Sequence, residues 1–193
     1  MITRTTSSTA RHLGIRISPL LPGVTIGLLC FFSFAVPSYA LNELLSLLDP
    51  RIHPVVKSLL ESKDMQSYSC FFVTVVFLSP LYEEIICRLI LQGWLQAVFA
   101  RQHPASGAVT QIDGDSPVPA PVRPTCWRSI LLSSLFFSVL HFNAGLGSVV
   151  SLFLFAIGLG LIYQRSGRLL PCLVMHMALN ATTMLALYLQ IRS

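Results

Sequence analysis

The sequence predicts an all-α protein, a polytopic transmembrane helix bundle of five or six membrane segments with interfacial helices. Three observations lead there. Of 193 residues, 53% are hydrophobic and only 11% charged, against roughly 25% charged in an average soluble domain. Mean hydropathy is +0.69. The apolar residues also fall into long blocks, separated by polar links rich in Gly, Pro and Ser. Such a composition excludes a disordered chain, which needs low hydrophobicity and abundant charge. A net charge of +5 would point to nucleic acid in a soluble protein. Here the basic residues lie mostly between apolar blocks, where they report topology, so no nucleic-acid partner is expected.

Residues 1–18 are polar and basic, with Arg4, Arg11 and Arg16 and no acid. The block 19–40 is either a first transmembrane helix or a cleaved signal, since Ser38-Tyr39-Ala40 resembles a signal-peptidase site. The length of the basic segment and the membrane character of the remainder favour a retained helix. Residues 41–67 contain two amphipathic pieces, LNELLSLL and VVKSLLESK, expected at the membrane surface. The core is 68–190. Its first stretch, 68–100, is about 50 Å long as a helix, too long to cross a roughly 30 Å hydrocarbon core upright. It is expected to tilt, kink at Pro80 or pass into an interfacial helix. A proline-rich loop at 101–126 follows. Three further spans are predicted at 127–142, 146–163 and 169–190.

Lys and Arg do not fix the orientation. One crossing by 68–100 with the N-terminus inside places eight of the thirteen on the cytoplasmic side, and two crossings with it outside give the same split. The five cysteines (30, 70, 87, 126, 172) show no CxxC spacing and read as small buried hydrophobes. Gly147/Ser151 and Ala156/Gly160 read as close-packing pairs between helices.

The informative residues are ionisable ones inside apolar sequence. Each charge near a membrane-helix centre costs about 2.5–3.5 kcal/mol, so Glu83, Glu84 and Arg88 must find partners. Glu84 and Arg88 are four residues apart and share a helix face, extended by Gln92 and Gln96. Glu83 is turned about 100° away. The pair Glu84–Arg88 therefore reads as structural and Glu83 as the free carboxylate, a general base in waiting. The next span carries Ser134, Ser138 and His141 with Phe137 beside them, and the last aligns His176, Asn180 and Thr183. Any one stripe is ordinary interhelical packing. Three helices that each aim a strong polar group into an apolar bundle make an intramembrane site. Glu83, His141 and His176 also match the ligand set of a catalytic zinc with an open position.

These residues resemble the CPBP family of intramembrane proteases, also called the Abi or type II CAAX prenyl endopeptidase family. Its motifs EExxxR, FxxxH and HxxxN appear in order as Glu83-Glu84…Arg88, Phe137…His141 and His176…Asn180. The resemblance implies an intramembrane endopeptidase acting on membrane-tethered or lipidated, CAAX-like proteins or peptides in a lipid bilayer. It further implies that Glu83 activates water with help from His141, while His176 and Asn180 stabilise the oxyanion or complete a metal site. Zinc and a metal-free glutamate mechanism both stay open. The expected location is an integral, multi-pass protein of a bacterial cell membrane. Two details depart from the family pattern. Cys87 and Leu89 flank the motif arginine where an aromatic residue and a glycine are usual, and the chain has fewer spans than many relatives. Straight helices would also leave His141 near a span end and His176 about 10 Å from the opposite side, so their meeting requires a kink or a shifted boundary. The alternatives are a non-catalytic membrane protein of this fold, serving bacteriocin self-immunity or partner binding, and a bis-histidine metal or haem carrier through His141 and His176.

Overall fold

The computed structural model describes residues 20–49, 54–62, 64–102 and 126–192. The basic segment 1–18 and all but the edges of the loop 101–126 lie outside them. Helix α1 is Leu20–Ser46, α2 is Pro54–Ser62, and α3 runs unbroken over Met65–Arg101. Then come α4 (Trp127–Val139), a 3-10 turn at Phe142–Ala144, α5 (Leu146–Ser166) and α6 (Leu169–Arg192). The described residues contain no strand. Four helices, α1, α3, α5 and α6, are long and apolar enough to cross a membrane, and α4 is a shorter apolar helix. The chain is an all-α polytopic bundle.

Why each face turns inward is written in side-chain size. Along α1 the buried positions Gly23, Gly27, Phe31 and Ala35 recur every four residues, one stripe of a helix. Gly27 lets α1 lie against α6: a Cβ there would stand 2.7 Å from the Pro171 carbonyl oxygen and 2.8 Å from Val174 Cβ. Gly158 does the same for α5, where a Cβ would sit 2.7 Å from the Phe34 ring. Around these contacts Phe31, Ala35, Phe155, Leu159, Cys172 and Met175 form the central apolar core. The opposite face of α1, with Leu21, Leu29, Phe32 and Val36, is exposed, as a lipid-facing surface is.

Several boundaries differ from the sequence reading. The first amphipathic piece begins as the end of α1, which continues to Ser46. Asp49, just beyond, accepts the Leu146 backbone N–H at 2.9 Å and so caps the start of α5. The second piece is α2, packed on α3 and α6 through Leu59, Tyr68, Leu187 and Ile191. Residues 68–100 lie in one continuous helix without a break at Pro80. A proline removes an N–H and crowds the carbonyl behind it. Here a π-helical segment, Thr74–Leu78, widens the coil before the ring, with the Ser79 N–H reaching back to the Thr74 carbonyl. A second π segment, Ile85–Gln92, carries Arg88 and Gln92 into the interior directly after buried Glu84.

Helix α4 stops three residues short of its predicted end, and this early stop brings the histidines together. The His141 N–H bonds the Ser138 carbonyl, three residues back, so the helical ladder is lost there. Gly145, at φ 98°, completes the turn into α5.

Candidate active site

Arg88 anchors the site from below. Its guanidinium, fully buried, bonds Glu84 Oε2 through Nε at 3.2 Å and Ser133 Oγ through Nη1 at 3.3 Å. It also lies over the Phe137 ring, 5.7 Å from the centroid. Gln92 extends the network by donating to the Gly160 carbonyl at 2.9 Å. The pairing of Glu84 with Arg88 is thus as the helix spacing predicts.

Glu84 does more than neutralise Arg88. Its other oxygen, Oε1, lies 2.9 Å from His176 Nδ1. A carboxylate only accepts, so the neutral imidazole carries its proton on Nδ1 and presents a bare Nε2. His141 reaches the same state by another route. The break at the end of α4 frees the Phe137 carbonyl, and His141 Nδ1 bonds it at 3.0 Å. A carbonyl also only accepts, so Nε2 of neutral His141 again bears the lone pair. Phe137 wedges both rings, with centroids 4.8 Å from His141 and 5.5 Å from His176.

Glu83 completes the set. Its Oε1 accepts a hydrogen bond from Ser79 Oγ. Its Oε2 faces His176 Nε2 at 3.7 Å and His141 Nε2 at 3.9 Å and has no hydrogen-bond partner among the described residues. Three acceptors therefore converge on one point, a place where a water has two of them to donate to. The site is open to one side, because Glu83 is 17% and His141 31% exposed, whereas His176 is 3%.

Asn180 stands apart from this convergence. Its carboxamide Nδ2 donates to the Val75 carbonyl at 2.8 Å. Among the stripe residues, Ser138 bonds the Leu135 carbonyl and Thr183 the Leu179 carbonyl, so both serve their own helices. Two participants escaped the sequence reading. Ser79, four residues before Glu83, was within reach of the same spacing argument that paired Glu84 with Arg88. The Glu84–His176 contact spans 92 residues and leaves no local signal.

Glu83, His141 and His176, the ligand set expected for a zinc ion, are the residues that the fold brings together here. No group of three His, Cys, Asp or Glu among the described residues is set to hold a metal ion. The separations of 3.7 and 3.9 Å exceed the about 3.3 Å between neighbouring ligands of a tetrahedral zinc.

Compared with known protein families, residues 65–182 match the model described as type II CAAX prenyl endopeptidase Rce1-like. The match begins at the first residue of α3 and takes in all three motifs. No curated protein and no solved structure matches the chain.

Proposed function

Because the chain belongs to the type II CAAX prenyl endopeptidase Rce1-like family, we propose that it hydrolyses peptide bonds of membrane-tethered or lipidated polypeptides with a water held by Glu83, His141 and His176. The observation that carries this reading is the partnerless Glu83 Oε2 turned toward two imidazole nitrogens. A water there donates one O–H to Glu83 and the other to an imidazole. Its lone pairs point away from three acceptors, toward the open side where a substrate carbonyl enters.

Glu83 takes the proton as the water oxygen bonds the carbonyl carbon, and returns it to the amine nitrogen as the C–N bond breaks. Water and amide thereby become acid and amine with no other reagent. His141, fixed through the Phe137 carbonyl, orients the water. His176 Nε2 accepts the second O–H of the water, and Glu84, bonded to Nδ1, holds the ring in the tautomer that can do so.

The test is hydrolysis of a fluorogenic prenylated peptide by the full chain in liposomes. Glu83→Gln is expected to lose at least 10³-fold in kcat while keeping its melting temperature. Activity retained by Glu83→Gln would overturn the reading. Activity that vanishes on chelation and returns with zinc would replace it with a metal-assisted one.

A further inference from the structure

The bond from Asn180 to Val75 answers a deficit that Pro80 creates. At the end of the π segment the Ser79 N–H reaches back five residues, to the Thr74 carbonyl. In that register the Val75 carbonyl belongs to the N–H of residue 80. Residue 80 is proline and has none, so the carbonyl would be left orphaned in a membrane helix, where no water compensates. Asn180 Nδ2 supplies the missing donor at 2.8 Å.

One turn earlier on α6, His176 grips Glu84. The two contacts hold α3 before and after Glu83. Between them lie Pro80 and Ser79, whose hydroxyl fixes Glu83 Oε1 and leaves Oε2 to face the histidines. We propose that Asn180 is a positioning residue for Glu83: it gives the Val75 carbonyl the hydrogen bond that Pro80 withholds, and so locks the π turn that aims the carboxylate. The proposal rests on Glu83 being the base described above.

A second-site rescue tests it. In Asn180→Ala, kcat is expected to fall about 10- to 100-fold, the range for lost outer-shell partners of a reactive group. KM changes little, and the substrate-free protein melts at a lower temperature. Pro80→Ala restores a backbone N–H at residue 80, so Pro80→Ala/Asn180→Ala is expected to recover most of the lost kcat and melting temperature. An oxyanion donor to substrate could not be replaced in this way. Failure of the double variant to regain kcat, with the single Pro80→Ala variant active, overturns the proposal. So does an Asn180→Ala protein whose substrate-free melting temperature is unchanged, a readout that stands even if Pro80→Ala does not accumulate. If instead Glu83→Gln stays active, the base assignment has failed, a result that the rescue experiment does not produce.

Discussion

Truncating Arg88 to alanine removes the guanidinium that pairs with Glu84, whose carboxylate is fully buried between Arg88 and His176. Breaking a buried pair on one side costs about 3–5 kcal/mol, so Arg88→Ala is expected to accumulate poorly and to melt early in detergent. Glu84→Ala shares that loss and frees His176 as well. Glu83→Gln, by contrast, removes no buried ion pair and should accumulate like the unmodified protein. Comparing abundance and activity for the three variants side by side separates fold from chemistry. The pairing of Glu84 with Arg88 was legible from helix spacing alone. The bond of Glu84 to His176 was not, because only the early end of α4 and the lean of α6 decide which imidazole arrives where. Asn180 was legible as a polar group turned inward, but its partner depended on a π turn that apolar patterning does not encode.

At the scale of elements, the helix contacts are set by glycines with no room for a methyl group. Gly27→Ala would drive a Cβ into the Pro171 carbonyl and Val174, so a melting temperature lowered by several degrees is expected from loosening of α1 on α6. The start of α3 offers a pH test. Asp64 caps it by accepting the N–H groups of Ser67 and Gln66 at 3.0 and 3.1 Å. The Ser67 hydroxyl and these N–H groups hold the Asp64 carboxyl below the usual carboxylate range. A depressed value means that the cap stabilises fully above the ordinary carboxylate range and is lost as pH falls through the lowered one. Melting curves should therefore show an acid-side loss that Asp64→Asn removes. The sequence announced α1, α3, α5 and α6 by apolar length. It misplaced their ends by a few residues, because capping by Asp49 and the loss of the α4 ladder at His141 are tertiary events.

Across the whole molecule, the single pass of α3 resolves the tie in the basic residues. Arg101, Arg128, Arg165 and Arg168 stand at the helix ends on one side of the bundle, with no described acid among them. The other side carries Lys57 and Arg192 together with Glu43, Asp49, Glu61 and Asp64. Positively charged ends stay in the cytoplasm, so the C-terminal end of α6 is expected outside. Alkaline phosphatase fused after Ser193 should be active and a green fluorescent protein dark, and the reverse pattern would refute this orientation. The bundle class could be read from composition, whereas its handed placement in a membrane required knowing that 68–100 crosses once.

One feature of that bundle acts on its surroundings. Helix α4 has 13 residues, about 20 Å of helix beside lipid whose hydrocarbon layer is roughly 30 Å thick. A short apolar element is accommodated by drawing the two leaflets together, so a thinned bilayer is expected beside α4. Such thinning would bring water and headgroups toward the part-exposed His141. Bilayer thickness then becomes a control on turnover: hydrolysis should be faster in short-chain lipids than in long-chain ones, with the protein itself unchanged.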